Sequence, residues 1–457
     1  MKSSFTSLLG LGLAVAAQQV GNNTIEVHPR LTTWRCTHAG GCTPRNTAVV
    51  LDANYRWIHT VGGYQNCNGA DGNSLDKTLC PDAATCARNC ALEGTNYTAT
   101  GIYTSSPNAT SSSLTLDMYV NGQGSSPRVY LLGEDDNSYE SLQLNNAEFT
   151  FEVDMSQLPC GMNGALYLSE MSMSGGKSSY NRAGAAMGTG YCDAQCPIGK
   201  FINGEANTNG TGSCCNEMDI WEANSRATAL TPHACSIKGI YACSGTECLD
   251  GSSGGVCDRS GCGYNAYAQG HRAFYGPGKN MTVDTSRPFT VVTQFLAGHG
   301  NKTSHGSFKP RGNQEHSKPV LREIRRLYLQ DGILISNVST TAPYSNSSAA
   351  SRARTSKALS PDQIAISDEY CGSGVFEKLG GLRGMGEALQ RGMVLVFSIW
   401  NDNGQYMSWL DGGNAGPCNA TEGAPDEIFK NTPGTSVTWS NVRWGEIGST
   451  FRAGCQV

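Results

Sequence analysis

No stretch of this 457-residue sequence beyond its first few residues approaches the roughly 20 apolar positions a membrane-spanning helix needs. The apolar run Leu8 to Ala17 is too short for that. Set behind Met1-Lys2 and ending in small residues, it has the pattern of a secretory signal, with cleavage expected after Ala17 and residues 1–17 removed. Basic residues are in deficit, 33 Lys and Arg against 38 Asp and Glu, for a formal charge of -5. Loss of residues 1–17 takes away Lys2 and no acid, so -5 becomes -6. Such a balance argues against a nucleic-acid partner, which needs a basic surface. There is no Pro/Ser/Thr-rich linker, no internal repeat and no long helical periodicity, so one domain is expected from about Gln18 to the end (18–457). No motif implies a cofactor or a bound metal ion.

What is present points to an oxidising compartment and many turns. Gly supplies 56 of 457 residues, about 12% against the usual ~7%, and is dispersed through the chain. All nineteen Cys lie beyond the signal, which favours disulfides over metal sites. The sets Cys192-x-x-x-Cys196 and Cys214-Cys215 are poor zinc candidates, because vicinal cysteines suit tetrahedral ligation badly. An odd count leaves one thiol over, expected to be Cys455 near the end. Nine Asn-x-Ser/Thr sequons, at Asn22, Asn96, Asn108, Asn209, Asn280, Asn301, Asn337, Asn346 and Asn419, fit a secreted, extracellular glycoprotein.

Short β-branched and aromatic runs bounded by Gly, Asn, Asp, Ser or Pro dominate. Strands are expected at Thr47 to Asp52, Tyr55 to Ile58, Arg128 to Leu132, Phe149 to Val153 and Leu166 to Met171. More follow at Phe289 to Leu296, Val320 to Leu329, Gly332 to Val338, Met393 to Trp400 and Val437 to Trp444. In Val320 to Leu329 apolar and charged residues nearly alternate, as in a half-exposed strand. Helices are expected only around Thr85 to Leu92, Leu382 to Gln390 and Pro425 to Phe429, and loops at 299–319 and Ser345 to Ser356. Strands without alternating long helices mean an all-β fold, an antiparallel sandwich or jelly roll.

Chemistry concentrates in Glu217-Met218-Asp219-Ile220-Trp221-Glu222, three carboxylates and an indole in six residues. Two acids in unequal environments on one surface are what glycosidic hydrolysis requires, one as proton donor and the other as nucleophile or base. Strand parity raises a difficulty. Glu217 and Asp219 share a face, whereas Glu222 falls on the other and would sit roughly 16 Å from Glu217 in a regular strand. A retaining pair has its carboxyl groups about 5 Å apart. The motif therefore demands a β-bulge that restores the parity and bends the strand.

Cys214-Cys215-Asn216-Glu217-Met218-Asp219-Ile220-Trp221-Glu222-Ala223-Asn224, followed by Ala229-Leu230-Thr231-Pro232-His233, resembles the active-site signature of glycoside hydrolase family 7, the fungal cellulases. The likeness runs over almost the whole chain beyond the signal. It includes Tyr55-Arg56-Trp57, Leu79-Cys80-Pro81-Asp82, Leu158-Pro159-Cys160-Gly161, Gly190-Tyr191-Cys192-Asp193-Ala194-Gln195-Cys196, Phe274-Tyr275-Gly276-Pro277-Gly278, Gly392 to Val396, Asn441-Val442-Arg443-Trp444 and Ile447 to Thr450. It implies a concanavalin-like antiparallel β-sandwich with a long cleft on its concave sheet, and retaining hydrolysis of β-1,4-glucan. Glu217 would be the nucleophile, Glu222 the acid/base and Asp219 the partner of Glu217. His233 would stand near the acid/base, polarising it or binding a sugar hydroxyl, or would serve only as a structural hydrogen bond in its loop. Tyr167, Asp193 and Gln195 match residues that touch sugar near the scissile bond. Trp400 and Trp409 match cleft-lining indoles, which suit the apolar faces of a pyranose. Trp57 matches a residue holding the distant end of the chain, and Trp439 and Trp444 are expected in the core. The same resemblance implies the pairs Cys36–Cys42, Cys67–Cys90, Cys80–Cys86, Cys160–Cys418, Cys192–Cys215, Cys196–Cys214, Cys235–Cys257, Cys243–Cys248 and Cys262–Cys371.

Within the family, cellobiohydrolases roof the cleft into a tunnel and endoglucanases leave it open. Here Cys196 to Cys214 encloses seventeen residues, and only six separate Asp411 from Cys418, which favours the open form. The long Cys235–Cys262 segment with its extra pair Cys243 and Cys248 points the other way, to one enlarged lip. An endo-1,4-β-glucanase acting as a monomer on β-1,4-glucan is expected, with no cellulose-binding module after the catalytic domain. A processive cellobiohydrolase is the enzymatic alternative and a non-catalytic glucan-binding lectin the non-enzymatic one.

Overall fold

The computed structural model describes residues 19–108, 111–298, 319–335 and 364–451. The expected signal at 1–17, Gln18, nearly all of the loop expected at 299–319, the end of the strand expected at Gly332 to Val338, the Ser345–Ser356 stretch, Cys455 and the sequons at Asn301, Asn337 and Asn346 lie outside them.

Two large sheets carry the architecture. Their main strands are β1 (Arg128–Leu132), β2 (Ala147–Asp154), β3 (Met162–Ser169), β4 (Glu217–Ala223), β5 (Thr228–His233), β6 (Phe289–Gly298), β7 (Val320–Gln330), β8 (Met393–Asn401) and β9 (Ser436–Gly445). The eight-stranded sheet runs Tyr264–Asn265, β5, β4, β3, β8, β1, Ala48–Leu51, with Ser141–Leu142 also on β8, and every pairing in it is antiparallel. The ten-stranded sheet is built on β7, β6, β2 and β9, then Thr33–Thr37. One junction departs from the expected antiparallel pattern, because Thr33–Thr37 pairs with β9 in parallel, Trp34 opposite Arg443.

The inward rows of the two sheets interdigitate as a sandwich requires. Phe149, Phe151, Val291 and Phe295 of one sheet meet Leu166, Leu168, Met218, Ile220, Leu395 and Phe397 of the other. Trp439 and Trp444 are buried among them, and Trp439 stands edge-on to Phe397 at 5.4 Å. Helices are short and follow their local signals. Asp82 caps Ala83–Asn89 by accepting from Thr85 N–H, Pro425 opens Pro425–Asn431, and Gly381–Arg391 buries Leu382, Met385, Ala388 and Leu389. Among the described residues no helix is long and apolar enough to cross a membrane.

Three segments differ from their sequence reading. The helix expected at Thr85 to Leu92 ends at Asn89, and Cys90–Leu92 instead pairs as a strand with Ile58–Thr60. Tyr55 to Ile58 is not one strand: Ala53–Tyr55 forms a 3-10 turn, capped by Asp52 accepting from Asn54 N–H, and the strand begins only at Ile58. An Asx cap outcompetes the extended conformation that the aromatics favour. In β7 the charged residues are not on a solvated face. Glu323 pairs with Arg325 at 2.7 Å, and Glu323 and Arg326 are both buried.

Nine disulfides form, joining Cys36–Cys42, Cys67–Cys90, Cys80–Cys86, Cys160–Cys418, Cys192–Cys215, Cys196–Cys214, Cys235–Cys257, Cys243–Cys248 and Cys262–Cys371. Cross-links of this kind restrict the unfolded forms of the segments they join.

Candidate active site

A cleft of about 1410 Å³ lies across the eight-stranded sheet. Its floor is made of side chains from adjacent strands: Tyr167 from β3, Glu217, Asp219 and Glu222 from β4, Thr231 and His233 from β5, and Ser398 and Trp400 from β8.

The parity difficulty is resolved inside β4. On the β3 side Met218 pairs with Leu168 and Trp221 with Leu166. On the β5 side Asp219 pairs with Thr231 and Glu222 with Ala229. Each ladder thus sets two residues of β4 against one neighbour, which is a β-bulge. Ile220 and Trp221 both turn into the core as consecutive residues, and the alternation restarts with Glu222 on the cleft face. Trp221 fills the space so created, with the rings of Phe151, Phe289 and Tyr275 about it at 5.9, 5.9 and 6.0 Å.

The two glutamates then have different surroundings. Glu217 Oε2 accepts the Ala194 N–H at 3.0 Å. Cys192–Cys215 and Cys196–Cys214 hold the turn containing Ala194 against the start of β4, which is the work of the vicinal cysteine pair. Beside Glu217, Asp219 Oδ2 pairs with His233 Nε2 at 2.9 Å, while His233 Nδ1 donates to the Asp258 carbonyl at 2.9 Å. Both ring nitrogens therefore face acceptors. Burial works against the imidazolium, but the bond and charge of Asp219, the charge of Glu217 and the Asp258 carbonyl outweigh it and hold His233 up at about 10. Glu222 accepts one amide N–H, from Asn163 Nδ2 at 3.0 Å. Burial, then the Asp219 charge, push its carboxyl up to about 8 against the pull of His233 and Asn163. Glu217 is also raised, by burial and by the charges of Asp219 and Asp193. The His233 cation and the Ala194 N–H act the other way. Both carboxyls are thus raised, with a backbone N–H as the direct donor to Glu217 and a side-chain amide as the direct donor to Glu222.

Along the floor Tyr167 Oη bonds Tyr191 Oη at 2.8 Å, and Tyr191 donates to Asp193 Oδ2 at 2.6 Å. Arg128, bound to Asp52 Oδ2 at 2.8 Å, lies 3.5 Å over the Tyr191 ring. Asp193 Oδ1 in turn accepts the Gln195 N–H at 2.7 Å. Farther along, Trp400 and Trp409 stack with ring centroids 6.3 Å apart and planes inclined by 29°, a platform fit for a sugar ring. Trp409 rides on the short helix Ser408–Asp411, which is tied down where Asp411 Oδ2 accepts from Gly161 N and Asn224 Nδ2.

Of the residues singled out in the sequence, Glu217, Asp219, Glu222, Tyr167, Asp193, Gln195, His233, Trp400 and Trp409 all line this one cleft. Trp57 does not. It is exposed beside His59 and Tyr64, with ring centroids at 4.2 and 6.2 Å. Arg128, Tyr191, Asn163 and Arg259 were missed. Arg128 and Asn163 carried a signal, each a polar residue inside a strand whose other members are nearly all apolar. Arg259 carried none: its place beside Gln195, whose Nε2 donates to the Arg259 carbonyl at 2.8 Å, depends on a contact between segments 64 residues apart.

Comparison with known proteins covers nearly the whole chain. The family model described as glycosyl hydrolase family 7 matches residues 20–451. A probable endo-beta-1,4-glucanase celB of Aspergillus clavatus is 52% identical over 443 residues, covering 96% of this chain and 95% of that one. The native structure of Humicola insolens endocellulase EGI is 46% identical with a TM-score of 0.81, covering 95% and 100% of the two chains. A Daphnia pulex cellobiohydrolase structure of the same family superposes with a TM-score of 0.80 at 35% identity, covering 95% and 100%.

Proposed function

The chain belongs to glycosyl hydrolase family 7, and from that membership we propose that it is a secreted endo-1,4-β-glucanase that cuts β-1,4-glucan with retention of anomeric configuration. The observation that carries the reading is the bulge in β4, which turns Glu217 and Glu222 to one cleft while giving them different hydrogen-bond donors. Glu217 attacks the anomeric carbon as Glu222 gives its proton to the departing glycosidic oxygen, and a covalent glycosyl-enzyme results. Glu222, now ionised, takes a proton from water as that water attacks the same carbon from the other side and releases Glu217. The His233 cation favours the charged form of Glu217, and Asp219 holds that imidazolium in place. Tyr167, Asp193 and Gln195 meet the sugar at the scissile bond, and the Trp400–Trp409 pair stacks on rings beyond it. Residues from about Gln18 onward are read as one catalytic domain and the protein as a monomer. Nine disulfides fit an extracellular site of action.

The endo reading rests on the short connections at 196–214 and 411–418. One observation favours the processive alternative: the 235–262 lip contributes Asp250, Arg259 and Ser260 to the cleft wall. The two readings separate in one assay. With soluble substituted cellulose, an endo enzyme lowers viscosity steeply before many reducing ends appear. A viscosity that falls only in proportion to reducing ends would make the enzyme processive.

The pH profile follows from Glu222. A general acid works only while protonated, and its protonated fraction is lost as pH rises through its pKa. kcat/KM on cello-oligosaccharides should therefore fall on the alkaline side near the raised Glu222 value of about 8. The Asn163 N–H steadies the charged form, so Asn163→Ala should move that alkaline limb upward by up to about one pH unit. A limb that stays put or moves down in a folded Asn163→Ala protein would remove Glu222 as the titrating acid.

A further inference from the structure

The bulge that brings Glu222 to the cleft is held from the opposite sheet. In β7, Ile324, Arg326 and Tyr328 have one parity, and all three face the sandwich interior. Arg326 is 1% exposed although it is a guanidinium in an otherwise apolar row. Its Nη2 donates to the backbone carbonyl of Ile220, the first of the two bulged residues of β4, across the thickness of the core. Its Cζ lies 5.4 Å from the ring centroid of Trp221, the second bulged residue. On its own sheet Nε donates to Thr293 Oγ1 at 3.1 Å, Thr293 being the directly opposed residue of β6, and Nη1 lies 3.4 Å from Tyr328 Oη.

We infer that Arg326 is a positioning residue for the acid/base: by capping the Ile220 carbonyl and covering the Trp221 face, it fixes the bulge on which the placement of Glu222 depends. A bulge leaves ladder groups without their regular partners, and a buried carbonyl left so is costly. A fixed, charged, multi-donor group suits that carbonyl better than any neutral side chain of this reach. Thr293 and Tyr328 orient the guanidinium from below. Without this brace, β4 can relax toward regular alternation, which turns Glu222 toward the core and leaves Glu217 and Asp219 where they are. The inference rests on the reading of Glu222 as acid/base.

The test uses that asymmetry. The enzyme and its variants are assayed on a cello-oligosaccharide, whose leaving group needs a proton, and on aryl β-cellobiosides from phenyl to dinitrophenyl, the last needing almost none. Arg326→Leu should lower kcat on the oligosaccharide on the order of 10- to 100-fold with KM within about twofold, and lower the burst rate of dinitrophenyl release, which reads the first step alone, by less than about threefold, as partial loss of acid catalysis requires. Arg326→Lys should restore part of the loss. Thr293→Val, nearly isosteric, loosens the guanidinium without removing it and should show the same leaving-group dependence at smaller size. It decides the matter if Arg326→Leu does not fold. Folding is read from the thermal midpoint and near-ultraviolet circular dichroism. Equal loss on all leaving groups, or no loss in folded Arg326→Lys and Thr293→Val, overturns the inference. Glu222→Ala is measured alongside. If it too lacks leaving-group dependence, the assignment of Glu222 itself fails. If it shows that dependence and the Arg326 and Thr293 variants do not, only the role given to Arg326 fails.

Discussion

Glu217→Gln is expected to lower kcat on cello-oligosaccharides on the order of 10⁵-fold or more, about 7 kcal/mol in activation free energy, while oligosaccharide affinity changes little. The amide is nearly the same size and still accepts the Ala194 N–H through its carbonyl oxygen, so the local structure is retained. What is lost is the nucleophilic carboxylate. Isothermal titration with an uncleaved oligosaccharide, set beside single-turnover hydrolysis, measures the two halves of this expectation. Unchanged hydrolysis would end the assignment of Glu217 as nucleophile. Lost binding would mean that the side chain holds substrate and that its chemistry has been misread. The same variant bears on the lectin alternative, since a binding protein has no hydrolysis to lose.

Glu222→Ala should behave differently, because the acid/base acts twice. On unactivated glucan the loss should be on the order of 10³- to 10⁴-fold, the usual range for general acid catalysis. On dinitrophenyl β-cellobioside the first step should proceed almost normally and the glycosyl-enzyme should accumulate, visible as a burst of released phenol. Azide should then speed turnover by attacking the intermediate without needing a base, giving a β-glycosyl azide with the configuration of the substrate retained. Absence of both burst and azide effect would deny Glu222 the role. Glu217→Gln should show neither, because without the nucleophile no glycosyl-enzyme forms to accumulate or to be intercepted.

Much of this was legible before any coordinates. Period-two alternation and turn residues located nearly every main strand, because a strand half-covered by a core must carry its apolar residues on one side. The failure at Tyr55 to Ile58 came from a local competitor, the Asp52 cap. Val320 to Leu329 misled for another reason. A charged residue in an alternating strand reads as solvated, and nothing in the pattern says that the face bearing Arg326 is turned inward toward a carbonyl 106 positions earlier in the chain.

Sequence alone determined the chemical inventory: the three carboxylates at 217, 219 and 222, the cysteines around them, the aromatic residues and the all-β class. These depend on residue type and near spacing, which the chain carries explicitly. It also stated a problem it could not solve, that Glu222 has the wrong parity for the face shared by Glu217 and Asp219. Tertiary structure decided the rest. The bulge exists because β3 and β5 both pair in register on either side of an extra residue, Trp221 finds its space among rings from the other sheet, and Arg326 reaches the carbonyl between them. The imidazolium at His233 needs Asp219 and the Asp258 carbonyl together. Each of these is a contact between residues distant in sequence or facing across the core, where burial and geometry, rather than residue identity, set the energy.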